Sequence, residues 1–306
     1  MTDVISEYYE KQAKKGKRGG LNLPAMSRKS LNFMSCIIAD PGYVFVSQDV
    51  VALEPSITAE MSQDHMYMYA TLNGIGQKPY YDDTVLRIDD IYLMSASVFP
   101  PTRMKLWDIY HNRLMPTGKT FADQWVIDSE VCKDYCKKEV RNFAKVACLG
   151  IGYGMGARKF RTTAEENGTI LSYKEAKGTI DAYWELFKGL KTLRDTLSWN
   201  VKRTKAQVNP FGYRSTPDDH KAMNAFIQSS ASGVLDVYCL KLFQFCPYAE
   251  FIALIHDEVI YSIPAELQDK LKSDSDFVAE SLNSDLGWSV PIRFGTKIAT
   301  TFGGLK

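Results

Sequence analysis

The chain has almost no charge imbalance. Its 306 residues carry a formal net charge of +1, so the total argues neither for nor against a nucleic-acid partner, and any basic surface must be a local patch. Paired cysteines are missing too. The six cysteines, 36, 132, 136, 148, 239 and 246, contain no CxxC and lack the density of a disulfide framework; reduced, buried thiols are expected. Cys132 and Cys136 stand four apart with no second His or Cys pair to complete a zinc set. No stretch of about 18 apolar residues occurs, and the first twenty residues hold no apolar run of a secretory signal. The expectation is a chain that is neither secreted nor membrane-spanning, working in the cytoplasm. Internal repeats and low-complexity tracts are also lacking.

What is present is an ordinary globular composition, 45% hydrophobic and 24% charged, over a length that makes one large domain or two smaller ones. The first twenty residues end in Lys14, Lys15, Lys17, Arg18 and Gly-Gly, reading as a loosely held basic arm. "GYVFVSQDV" (42–50) reads as a buried strand. "LEPSITAEMSQD" (53–64) reads as a helix, its Pro55 tolerated in the first turn. Residues 85–200 are mostly helical, with a Pro- and Gly-containing excursion at 100–118, and 217–243 form another long helical pattern. "ALIHDEVIYSI" (253–263) places two β-branched runs around His256, Asp257 and Glu258, a hairpin with titratable groups at its tip. Strands at both ends and helices between make the fold class α+β.

A charged hairpin tip could be a solvated turn. It could also hold a carboxylate rigidly for metal chemistry, and that requires a second carboxylate. Asp49 supplies one at the end of the first strand. Two aspartates on strand tips offer hard oxygen ligands to Mg²⁺, and a two-ion site can activate a hydroxyl and stabilise a leaving pyrophosphate. A third stretch, "VRNFAKVACLGIGYGMGARKF" (140–160), spaces Arg141, Lys145, Leu149 and Tyr153 four apart, so they share one helical face. Across 133–161 eight basic residues stand against two acidic ones. Such a face is either solvated or a seat for a triphosphate, with the Leu-Tyr end against base and sugar.

Taken together, these stretches resemble the polymerase domain of family A DNA polymerases, nearest in flavour to phage enzymes. "SQDVVALEPSITAEMSQD" is similar to motif A, with Asp49 and Glu54 at the required spacing and a Ser-x-Asp turn after the helix. "RNFAKVACLGIGYG" is similar to motif B at Arg141, Lys145, Gly150, Tyr153 and Gly154, and "HDE" at 256–258 to motif C. "NPFGYRS", "NAFIQSSAS" and "RGGLNLP" resemble the family's duplex-holding and upstream segments, all in the family's order. The resemblance implies a palm with an antiparallel sheet and a helical fingers subdomain, divided as 1–64, 65–205 and 206–306. It implies two Mg²⁺ ions, with Asp49, Val50 and Asp257 as metal ligands and Glu258 assisting. Glu54 would exclude a 2′-hydroxyl, and Arg141 and Lys145 would hold the dNTP triphosphate. Leu149 would line the sugar pocket, and Tyr153 would stack near the nascent pair. Arg18, Gly154, Arg214, Asn224, Gln228 and His256 would contact primer-template DNA, the amide side chains through sequence-independent minor-groove acceptors.

Three positions depart from the family pattern: Leu149 where an aromatic is usual, Cys148 in place of Asn, and His220 in place of Arg. Only about 48 residues precede Asp49, which implies a palm and fingers whose thumb, and with it an exonuclease, comes from a second protein chain. The expected activity is template-directed DNA synthesis. A template-independent or primase-like nucleotidyltransferase, and a non-catalytic nucleic-acid-binding subunit of a replisome, are the alternatives.

Overall fold

The structure, a computed structural model, describes residues 34–72, 80–82, 85–109, 133–134 and 136–305. Arg18, the basic arm, Cys132 and the 110–118 part of the excursion lie outside the described residues. The chain divides into two compact units, each assembled from sequence-distant pieces. One comprises Met1–Val50, Leu242–Asp276 and Phe294–Lys306; the other comprises Val51–Lys241 and Phe277–Arg293.

The first unit is built on a four-stranded sheet. Strand β1 (Tyr43–Val51) lies between β7 (Glu258–Pro264) and β8 (Arg293–Ala299), and β6 (Glu250–Ile255) forms the edge beyond β7. β1 and β7 are antiparallel, in register from Tyr43 opposite Pro264 to Asp49 opposite Glu258. Successive side chains point to opposite faces of a strand. Accordingly Phe45, Ile255 and Ile260 pack on one face with Met34, Phe302 and Leu305, the rings of Phe45 and Phe302 meeting edge-on at 6.1 Å. On the other face Tyr261 meets Phe243 at 6.4 Å. A bulge between Phe251 and Ala253 interrupts β6, leaving Phe251, Ile252 and Leu254 exposed on an edge strand.

The second unit is helical. Helix α1 (Leu53–Ser62) leads through left-handed Gln63 into α2 (His65–Thr71). A short hairpin, β2 (Tyr80–Asp82) and β3 (Val85–Arg87), precedes α3 (Ile91–Ala96) and α4 (Arg103–Ile109). A π turn at Lys137–Arg141 opens into α5 (Asn142–Gly152), followed by α6 (Ala157–Glu166), α7 (Tyr173–Leu186) and α8 (Lys188–Thr204). The small hairpin of β4 (Gln207–Val208) and β5 (Arg214–Ser215) leads to α9 (Ala222–Phe245), and α10 (Gln268–Leu286) follows β7. No helix among the described residues is long and apolar enough to cross a membrane.

Helix starts in this unit are set by side-chain caps. Ser172 and Glu175 form a reciprocal capping box on α7. Asp64 does more. One carboxylate oxygen accepts from Met66 and Tyr67 N–H at 3.0 and 2.9 Å, capping α2, while the other accepts from Gly189 N–H at 2.7 Å at the start of α8. A single buried carboxylate thus satisfies orphan donors of two helices. Gly189 is required there, since a Cβ would meet the Asp64 Cα at 2.9 Å.

Candidate active site

In the sheet unit, the hairpin of β6 and β7 turns in two residues, His256 and Asp257, between paired Ile255 and Glu258. His256 has φ of +58° and Asp257 does not have positive φ, the sign pattern of a type II′ turn, a place where glycine is usual. A non-glycine residue held there stores strain of about 1–3 kcal/mol, and the flanking strands hold it. Val50 N–H donates to the Asp257 carbonyl at 3.1 Å, tying the turn to the end of β1. Asp49 stands directly opposite Glu258 in the register, and Ser47 Oγ donates to Glu258. Asp49 is exposed, while Asp257 and Glu258 are half-buried. Glu258 therefore lies within β7 and not at the hairpin tip.

Among the described residues no three His, Cys, Asp or Glu side chains gather as a metal-binding group. What the sheet offers is a row of oxygen donors at one strand end: Asp49, Asp257 and Glu258. That donor set suits a hard cation such as Mg²⁺, which keeps several waters and needs only one or two protein carboxylates.

In the helical unit, α5 buries Ala144, Ala147, Cys148 and Ile151 and leaves Lys145 and Leu149 exposed. Lys145 and Leu149 thus lie on the solvent side of the helix, while Arg141 and Tyr153, at the two ends of the stripe, are half-buried. Arg141, the last residue of the π turn, is held from two directions. Its Nε donates to Asp90 Oδ2 at 2.7 Å, and its guanidinium lies 4.9 Å over the Tyr92 ring. The Asp90 side chain is only 4% exposed, and its other oxygen caps α3 at Tyr92 and Leu93 N–H, both at 3.0 Å. Lys145 makes no ion pair among the described residues.

Glu54, at the start of α1, accepts from Tyr153 Oη on one oxygen and from Gln228 Nε2 on the other. Three sequence-distant motifs thus meet in one hydrogen-bonded cluster. The Tyr153 hydroxyl is pushed above the usual phenol range, first by burial and then by Glu54. Beneath lies a cavity of about 40 Å³ lined by Glu54, Tyr67, Tyr92, Cys148, Leu149 and Tyr183 among others. Burial raises the Cys148 thiol to about 12, and burial with the neighbouring Cys148 raises Tyr92 to about 12. Both stay protonated at neutral pH.

Gly154 has φ of +85°, and a Cβ there would meet the His220 carbonyl oxygen at 2.8 Å, so the backbone alone demands glycine. Arg214 is exposed on β5. Asn224 Oδ1 is buried without a hydrogen-bond partner, and an orphaned polar atom of that kind calls for a ligand or water. Sequence reasoning did not single out Ser47, Asp90 or Tyr92. The Asp-Ile-Tyr order at 90–92 carries an N-cap signal, but nothing local ties it to Arg141. Of the cysteines described, Cys136, Cys148 and Cys246 are buried, Cys239 is partly buried, and Cys36 is exposed.

A mixed helical and antiparallel architecture with a carboxylate-bearing strand pair and a cation-bearing helix defines a polymerase-type fold. The sequence profile of DNA polymerase family A matches residues 120–304, and the chain belongs to that family. It is 26% identical over 292 residues to the DNA polymerase of Mycobacterium phage D29, covering 93% of this chain and 39% of that protein. It is 28% identical over 189 residues to DNA polymerase I of Helicobacter pylori, covering 56% of this chain and 20% of that protein. The chain thus spans well under half the length of these relatives. Its fold is similar to the POL domain of Pol1 from M. smegmatis, solved in complex with DNA primer-template and dNTP. The TM-score is 0.66 at 17% identity, covering 93% of this chain and 44% of that one.

Proposed function

We propose that this chain is a template-directed DNA polymerase, adding deoxynucleotides to a primer 3′ end by phosphoryl transfer. The observation that carries the reading is the bonded cluster of Glu54, Tyr153 and Gln228. Each residue comes from a different motif, and each has a separate role in handling sugar, nascent pair and duplex.

In this reading residues 1–64 and 206–306 serve as palm and 65–205 as fingers. Asp49 and Asp257, with Val50, hold two Mg²⁺ ions and Glu258 assists, kept in place by Ser47. When bound, such ions lower the pKa of an attacking hydroxyl and neutralise the leaving pyrophosphate. Arg141 and Lys145 bind the triphosphate; Arg141 does so through the two guanidinium nitrogens that its Nε bond to Asp90 leaves over. Glu54 fills the space a 2′-hydroxyl would need. Leu149 packs against the sugar and Tyr153 against the nascent pair. His256 meets the primer terminus, while Arg18, Gly154, Arg214, Asn224 and Gln228 follow the duplex, the orphaned Asn224 Oδ1 finding its partner there. As a DNA-copying enzyme related to a phage polymerase, it works in the cytoplasm of a host cell.

A second protein chain supplies the thumb and an exonuclease. The exposed apolar edge at Phe251, Ile252 and Leu254 gives such a chain a surface to cover. Mixing with the co-encoded partner then lengthens the products made per encounter.

Primer extension with dNTPs and Mg²⁺, with and without template, tests the reading. Asp49→Asn and Asp257→Asn each lose about 10²–10³-fold or more in extension while primer-template affinity is kept. Extension within about tenfold of wild type in either variant overturns the site. Extension without template makes the chain a terminal transferase or primase-like enzyme. DNA binding without extension leaves a non-catalytic replisome subunit.

A further inference from the structure

The last turns of α8 and the β4–β5 hairpin that follows them form a surface outside the site described above. Residues 196–217 carry Lys202, Arg203, Lys205 and Arg214 and no acidic residue. Two carboxylates reach this stretch from elsewhere in the helical unit: Asp219 pairs with Lys202 at 3.1 Å, and Asp236 accepts from the Tyr213 hydroxyl at 3.2 Å. Arg203, Lys205 and Arg214 are exposed and make no ion pair among the described residues. Trp199 is 56% exposed, and the Arg203 guanidinium lies 4.7 Å over its ring. In the hairpin Val208 stands opposite Arg214. Gln207 turns inward, its Nε2 donating to the Ala222 carbonyl at 2.9 Å, so Val208 points outward. The hairpin is held still. Asn209 Oδ1 accepts from Phe211 and Tyr213 N–H at 3.0 and 2.9 Å, and the Phe211 ring meets Trp288 edge-on at 6.2 Å. A Cβ at Gly233 would run into that ring.

Cations in the last turn of a helix are favoured by its dipole, which accounts for Lys202 and Arg203. The dipole does not account for an indole left more than half in water, for exposed Val208 and Tyr213 next to further cations, or for the lack of carboxylates over 196–217. Flat aromatic faces for bases, set among cations free to meet phosphates, are what an unpaired strand requires. We propose that this surface is a stacking platform for single-stranded DNA. Trp199 takes a base on the ring face that Arg203 leaves open, and Arg203 and Lys205 meet the phosphates on either side. Single-strand binding stands without the polymerase reading. That the strand is template awaiting copying rests on that reading, which puts Arg214 on the DNA path.

Fluorescence anisotropy of a labelled oligo-dT of about 12 nucleotides, within the usual footprint of such sites, tests the platform on the full chain without metal or dNTP. The wild type should bind. Trp199→Ala should weaken binding about tenfold or more, and Trp199→Phe should restore most of it. Arg203→Gln should flatten the slope of log affinity against log salt by about 0.7. With primer-templates, lengthening the 5′ overhang from a single nucleotide to about 12 should tighten binding by the wild type but not by Trp199→Ala. No oligo-dT binding by the wild type, equal binding by Trp199→Ala, or a salt slope untouched by Arg203→Gln overturns the platform. So does Trp199-dependent binding of an oligo-glutamate peptide without binding of oligo-dT, because the surface would then seat an acidic protein segment. Trp199-dependent oligo-dT binding by a chain that extends no primer keeps the platform and removes the polymerase reading. Primer extension with an overhang effect indifferent to Trp199 does the reverse.

Discussion

Asp64 holds the starts of two helices, and its removal should be felt far beyond its own loop. Asp64→Ala strips the short bonds to Met66, Tyr67 and Gly189 N–H, at 3.0, 2.9 and 2.7 Å, from a residue only 5% exposed. A lost cap costs about 0.5–2 kcal/mol, and a donor left buried without a partner costs about 1–3 kcal/mol. Water entering the vacated space recovers part of this, so a loss of about 3–4 kcal/mol is expected. Asp64→Asn keeps one acceptor oxygen for α2 but turns an amide donor toward the Gly189 N–H, and should cost about half as much. Urea unfolding followed by far-ultraviolet circular dichroism measures both. Gly189→Ala, 125 positions away in sequence, drives a methyl into Asp64 and should destabilise through the same contact. The double variant should then fall well short of the sum of the singles. A loss below about 1 kcal/mol for Asp64→Ala, or strictly additive behaviour, would refute the shared cap.

Three further outcomes follow from the site. Lys145→Ala should lower kcat/KM about 10²-fold, as expected for one preorganised charge partner; damage confined to DNA affinity in a binding assay would make it a backbone-tracking residue. Tyr153→Phe removes one of two donors to Glu54, a charge-assisted bond of about 1.5–3 kcal/mol. Ribonucleotide incorporation should rise several-fold, and unchanged sugar discrimination would detach Glu54 from the sugar. Cys148 and Tyr92, ordinarily at 9.0 and 10.0, both sit at about 12 when folded. They therefore keep protons that the unfolded chain has released, and stability fully present below pH 9 should be lost between pH 9 and 12. A melting temperature flat across that range would contradict their burial.

Much of this was legible locally. Apolar, β-branched composition marked β1 and the 250–264 hairpin, and β1 and β7 are buried through most of their length; four-residue spacing placed Lys145 and Leu149 on one side of α5. The order of the motifs along the chain resembles the family by itself. The Ser-x-Asp turn after α1 was legible only as a pattern; its reason, a carboxylate shared between two helices, is tertiary. Asp90 and Tyr92 were invisible as parts of the Arg141 environment for the same cause, since nothing in a six-residue helix announces a partner 51 positions on. The left-handed His256 was equally hidden, because no residue type advertises a conformation imposed by flanking strands.

The threading of the sheet unit has a consequence for biosynthesis. Ser47 meets Glu258 across 211 positions of sequence, and the core under that pair is sealed by Phe302 and Leu305. At translation rates of about 5–20 residues per second, β1 must wait on the order of 10–40 seconds for β7. During that interval its run of Val44, Phe45 and Val46 has no partner strand, while the helical segments between can already fold through local contacts. The nascent chain thus carries an unpaired apolar strand through most of its synthesis, and yield in cells should respond more to chaperone supply and growth temperature than to changes in the helices.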